Sequence, residues 1–436
     1  MTDLAPMLVL AAGVDNLPLL TTIAAAFAAA WVLGLVTHRL GLSPIVGYLL
    51  AGVVIGPYTP GYVGDVGLAT QLAEVGVILL MFGVGLHFHL KDLLAVKGVA
   101  VPGALGQSLI ATVAAVVIFL ALGWSARSGV VLGMAMAVAS TVVLLRVLMD
   151  RKLLQTSHGH VAVGWLIVED ILTVIALVIV PIFALDPSGA SAGGASPLLG
   201  LLWAVLKLIA MVVVVFVAGS RVVPWMLNRV ARMRSAELFT LTVLVLSVAI
   251  AVGSAALFGA SVALGAFLAG MVVAQSRVSH QAAADALPMR HAFAVLFFVS
   301  VGMLFDPMFL VRQPLLVAAA LVIVLVVKPL AAVVIVALCG RPARTALVVA
   351  LGLAQIGEFS FIVAQSALKH HLMPEEGMQV LVAVAMLSIT VNPLLFRSLD
   401  GLEAGLKRVP WLWRLMNARH DRRVAGLNAH GREAVA

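Results

Sequence analysis

Apolar residues in this chain continue for about 20 positions at a time, and that habit closes off most folds. A helix of about 20 such residues crosses a hydrocarbon layer roughly 30 Å thick, and it pairs every backbone N–H and C=O within itself. A membrane-spanning barrel would alternate apolar and polar residues instead, and these segments do not. Of 436 residues, 63% are hydrophobic and 11% charged, where soluble domains carry about 45–50% and 25%. Mean hydropathy is +1.16. The sequence therefore predicts an all-α polytopic membrane protein and excludes soluble enzymes, disordered scaffolds and secreted disulfide proteins. Cys339 is the single cysteine, so neither an internal disulfide nor a cysteine metal site is expected. No Gly-x-Gly-x-x-Gly fingerprint or Walker motif occurs, which removes ATP-driven transport, and no cofactor is expected. The lack of Lys or Arg before Arg39 argues against a secretory signal peptide.

Breaks at Gly, Pro and charge divide the chain into about 13 candidate crossings within residues 1–400, followed by a basic tail at 401–436. Among them are residues 42–57, 128–149, 157–185, 259–275, 314–339 and 345–368. The stretch 186–196 is small and polar and reads as an exposed linker. The net charge of +8 could suggest nucleic acid, but the basic residues are dispersed along short loops. With the C-terminus cytoplasmic, 22 of the 27 Lys and Arg fall on the inner side, and only Arg127, Arg312 and Lys369 fall outside. That split follows the positive-inside rule, and it predicts a bacterial plasma-membrane protein with no nucleic-acid partner. The tail sets Lys407, Arg408 and Arg414 around Trp411 and Trp413, as an interfacial helix on anionic lipid would, or a solvated linker.

An ionisable group near mid-bilayer costs at least about 2.5–3.5 kcal/mol and needs a reason. Four qualify: Glu169 and Asp170 in the sixth span, Lys328 in the eleventh and Glu358 in the twelfth. Glu74 and Lys207 lie near span ends and can snorkel. Adjacent helical residues point about 100° apart, so Glu169 and Asp170 cannot serve one small site equally. Lys328 is the deep cation available to pair with Glu169, either as part of the ion site or as a lock between two helices. Asp170 is then left over, and a carboxylate away from water is neutralised by a proton or by a small cation. Ser140 and Thr141, after a run of small residues in the fifth span, offer hydroxyls and freed carbonyls to a hard cation, or ordinary interhelical hydrogen bonds. The twelfth span sets Gly352, Gln355 and Gly357 beside Glu358, which suggests a second interrupted helix.

The stretches Ala139-Ser-Thr-Val-Val143, Gly164-Trp-Leu-Ile-Val-Glu-Asp170, Gly265-Ala-Phe-Leu-Ala-Gly270 and residues 72–80 and 352–361 resemble the cation:proton antiporter-2 family. Within it they resemble the Kef-type potassium-efflux branch and the related YbaL/RosB group. The resemblance implies an inverted-repeat fold with two broken crossing helices, a homodimer with a dimerisation part, and a mobile core of two three-helix groups. It also implies that Asp170 carries the ion and the proton. Glu169 stands where classical Kef proteins have Gln, as in the YbaL-like subgroup. Their cytosolic nucleotide-binding domain has no counterpart fingerprint here, so glutathione gating is not carried over, though an ancillary cytosolic regulator fits. The reading is a secondary antiporter exchanging protons for a monovalent cation, potassium favoured over sodium. A gated potassium channel is the rival, although no Thr-Val-Gly-Tyr-Gly filter occurs. A non-transporting sensor would leave the buried charges unexplained.

Overall fold

The computed structural model describes residues 18–87, 90–183, 197–411, 413–419 and 421, so the expected linker at 186–196 and the last tail residues lie outside the described residues. Regular structure among the described residues is helical throughout. Ten helices are long and apolar enough to cross a membrane, and the pair Ala343–Leu353 and Glu358–Lys369, bent by 49°, makes an eleventh if taken as one span. The crossings expected at 42–57 and 259–275 are the helices Pro44–Ile55 and Val262–Ala274, of 12 and 13 residues. At 1.5 Å per residue these reach about 18–20 Å, short of a full hydrocarbon layer. Thirteen apolar segments thus follow the expected order, but two are too short to count as full crossings.

The chain divides into two compact units, Met1–Phe88 with Leu185–Phe309, and His89–Ala184 with Leu310–Ala436. In the first, small residues let helices approach closely, since lipid supplies no hydrophobic drive for packing. The Gly265–Gly270 stretch shows why its small residues are needed. A Cβ on Gly270 would meet the Gly85 backbone at 2.9 Å, and one on Gly265 would meet Ala251 at 2.9 Å. Helix ends are set locally. Ser43 accepts from Ile45 N–H ahead of Pro44, and Gly259, at φ +69°, ends the Ala236–Phe258 helix in the left-handed conformation.

The second unit repeats one pattern twice. The first group is Leu90–Ala121, a middle span broken between Ala126–Ala137 and Thr141–Asp150, and Ser157–Phe183. The second is Pro314–Leu338, a middle span broken between Ala343–Leu353 and Glu358–Lys369, and Glu375–Arg397. Within Pro314–Leu338 a π-helical turn, Ile323–Val327, ends at Lys328. Pro329 follows, with no N–H to donate four residues back, so the α-helical ladder is interrupted beside the lysine.

Residues 399–411 and 413–419 pack on the second unit and leave Trp411 and Leu415 exposed. The Ala343 N–H donates to Asn417 Oδ1 (3.1 Å), Met416 is buried, and Trp413 lies against the same core. Asn417 thereby caps the first half of the second broken span from a distant part of the chain. Arg344 bonds Glu403 and Asp400, and Lys407 reaches Glu403 at 2.7 Å. Lys407 and then Arg344 hold the Glu403 carboxyl below the usual carboxylate range. A depressed carboxylate stabilises above its unfolded pKa of about 4.3, and that contribution disappears as pH falls through the lower folded value. Glu403→Gln is expected to loosen the tail at neutral pH and to abolish this acid dependence. Limited proteolysis around residues 408–410 from pH 7 down to pH 3 measures both.

Candidate functional site

Both broken spans interrupt where the sequence places Ser-Thr and Gly-Glu, and the two breaks meet. Residues Val138, Ala139 and Ser140 are extended between the half-helices of the first, and Ala354 to Gly357 separate those of the second. Gly357 N–H donates to the Val138 carbonyl at 3.0 Å. Gln355 closes the crossing with its side chain. Its Oε1 accepts from Ser140 N–H (3.0 Å), and its Nε2 donates to the Ser140 carbonyl (3.1 Å). A Cβ at position 357 would lie 2.7 Å from the Ala139 carbonyl oxygen, so glycine is the residue that lets the two chains touch. Ser140 also caps the half-helix behind it, accepting from Val143 N–H at 3.3 Å.

Charged groups lie at the freed helix ends. Glu169, fully buried, accepts from Ala139 N–H at 2.8 Å. Lys328, also fully buried, donates to the Gln355 carbonyl at 3.1 Å. An anion thus sits at freed amides and a cation at a freed carbonyl, as the half-helix dipoles favour. The direct Glu169–Lys328 contact expected from sequence is not formed among the described residues. The two charges sense each other, but each has a backbone partner in a break. The reason is that the breaks supply groups bearing the opposite partial charge, which an unbroken helix pair would not.

Asp170 is half-buried, one residue on and turned from Glu169. The Thr141 hydroxyl lies beside its carboxylate. Thr141 Oγ1 and Asp170 Oδ1 are buried without a completed hydrogen bond. Glu358, in the first turn after the second break, is within electrostatic reach of Asp170. Three carboxyl groups and one lysine therefore share this region. No cluster of three or more His, Cys, Asp or Glu suited to a bound metal occurs among the described residues. Gly352 lies in the last turn before the break rather than at it, packed against Leu144. Glu74 and Lys207 are exposed and belong to the other unit.

Sequence reasoning missed four neutral residues that touch the breaks or their supports. Gln107 Nε2 donates to the Ala137 carbonyl (3.3 Å), and Trp165 Nε1 donates to Gln107 Oε1 (3.4 Å). Ser388 Oγ accepts from Ile356 N–H (3.3 Å), and Asn392 Nδ2 donates to the Leu351 carbonyl (2.7 Å). For Gln107 and Asn392 an amide within an apolar span was the one available hint; Trp165 and Ser388 carried none.

Residues 23–399 match the family described as sodium/hydrogen exchanger, transmembrane. The chain belongs to that family. It is 51% identical over 383 residues, covering 88% of this chain and 69% of the relative, to YbaL of Escherichia coli strain K12, provisionally named a cation/proton antiporter. It is 32% identical to K(+) efflux antiporter 4 of Arabidopsis thaliana, covering 82% of this chain and 60% of that one. Among solved structures, the sodium proton antiporter MjNhaP1 of Methanocaldococcus jannaschii at pH 8 shares the fold at a TM-score of 0.61 and 15% identity, covering 88% of this chain and 97% of that one. This family member is a multi-pass membrane protein and a transporter rather than an enzyme.

Proposed function

We propose that this exchanger-family chain carries protons against a monovalent cation, potassium in preference to sodium. The observation that carries the reading is the crossing of two helix breaks beside a carboxylate, Asp170, that has an oxygen without a partner and a threonine hydroxyl next to it. A proton and a dehydrated cation each neutralise Asp170, and holding both would overcharge it, so binding is competitive. Alternating access then converts competition into exchange. The potassium preference draws on the relatives named K(+) efflux antiporters. The second unit, with its two three-helix groups, is the candidate mobile core, and the first unit is the candidate dimerisation part. Membrane lipid is the surrounding partner, and a cytosolic regulator would reach the core through the docked tail.

Proteoliposomes with an imposed pH gradient test this. Proton efflux should start on adding potassium, with sodium weaker, and cation uptake should rise and fall with the protons released. Cation flux with no matching proton movement would mean a channel. Topology has its own check: in a Cys339→Ser background, a cysteine at Ser235 should label from the cytoplasm only and one at His371 from outside only. The reverse pattern would turn the 22-to-3 charge split against the assigned orientation.

A further inference from the structure

Breaking a helix in mid-membrane strands carbonyls at the end of one half and amides at the start of the next, and lipid offers them no partner. In the first group the helix before the break supplies Gln107, a donor to the Ala137 carbonyl (3.3 Å). The helix after it supplies Glu169, an acceptor for Ala139 N–H (2.8 Å). In the second group the helix before the break supplies Lys328, a donor to the Gln355 carbonyl (3.1 Å). The helix after it supplies Ser388, an acceptor for Ile356 N–H (3.3 Å). All four side chains are fully buried.

We infer that Gln107 and Ser388 are positioning residues of the exchange site, filling in one group the slots that Lys328 and Glu169 fill in the other. Each group has a donor slot on its first helix and an acceptor slot on its third. Both neutral residues are oriented for their slots. Gln107 Oε1 is occupied by the Trp165 indole, which turns its amide nitrogen to Ala137. The Ser388 hydroxyl donates to the Ala385 carbonyl (3.3 Å), leaving its lone pairs to Ile356. The charged residue sits in the acceptor slot of one group and the donor slot of the other. The two groups run in opposite senses by their basic residues: one starts beside Lys91 and Lys97, the other after Arg312 on the sparsely charged side. Together the four holders carry one acid and one ammonium, so they fix the breaks with no net charge, and the carboxylate of Asp170 stays available to the transported ion.

Its functional consequence rests on the antiport reading, but the placement can be tested apart from it. Gln107→Met and Ser388→Ala each remove one slot while keeping the side chain uncharged. Hydrogen–deuterium exchange on the purified full chain should show faster uptake in peptides covering 136–142 for Gln107→Met and in those covering 352–358 for Ser388→Ala, each in its own break. Ser388→Thr, which keeps the hydroxyl, should restore protection. In proteoliposomes both variants should lower cation-driven proton flux about tenfold through misplacement of the crossing, while a cooperative melting transition, lowered by the unpaired peptide group, shows that each stays folded. Uptake that is unchanged, or raised equally in both breaks, would overturn the assignment of slots. Local uptake with undiminished flux would overturn the positioning role. If the parent chain shows no exchange at all, the antiport reading falls and the uptake comparison still decides the slots.

Discussion

Asp170→Asn is expected to reduce cation-dependent proton flux to the leak of protein-free vesicles while leaving folding intact. The amide keeps the shape of the carboxyl but neither titrates nor offers negative charge. Asp170 has an oxygen outside any hydrogen bond, and the amide keeps an oxygen to set beside the Thr141 hydroxyl. Stability should stay near that of the parent, because the amide matches the carboxyl in size. Flux in reconstituted vesicles, measured beside a melting curve in detergent, checks both halves of the statement. Robust exchange by Asp170→Asn would move the ion site elsewhere in the unit. A collapsed protein would show that Asp170 is structural.

Much of this site was legible in the chain because charges in a membrane span are expensive enough to stand out. Glu169, Asp170, Lys328 and Glu358 could be found one at a time, and the structure brings all four to one region of one unit. Gly352, Gln355 and Gly357 marked the second break to within a few residues. Ser140 and Thr141 marked the first. The partner of Lys328 was not legible. Pairing by opposite side-chain charge is the natural guess from sequence, but the backbone carbonyl of Gln355 exists as a free acceptor only because the helix breaks there. Gln107 and Ser388 escaped for the same reason: their significance depends on an unpaired peptide group that no local pattern announces. The tail was legible in part. Its aromatic and basic residues read as a helix on lipid or as a solvated linker; Trp411 is exposed, while Trp413 and Met416 pack against protein. A short amphipathic segment does not say which apolar surface it will cover.

A large structural effect is expected at Gly357, where a side chain would have to occupy the crossing itself. The space holds the Ala139 carbonyl oxygen at 2.7 Å and Ser140 N at 3.0 Å from an added Cβ, and both are backbone atoms that cannot swing aside. Relief requires the two breaks to separate, which strains or loses the paired bonds between Gln355 and Ser140 and the bond from Gly357 to Val138. Overpacking in a tight core costs about 1–3 kcal/mol, and each buried polar group left unpaired adds about 1–3 kcal/mol. Gly357→Val should therefore lower the melting temperature clearly and remove exchange together, whereas Asp170→Asn removes exchange alone. Gly405→Ala is the matched control, since nothing lies within 4 Å of its added Cβ. It should melt and transport like the parent. Gly357→Ala should fall between, keeping the fold but slowing turnover, as the crossing is forced open by a single methyl. Parent-like flux in Gly357→Val would show that the two breaks need not touch during transport, and that the crossing belongs to one resting conformation rather than to the exchange cycle.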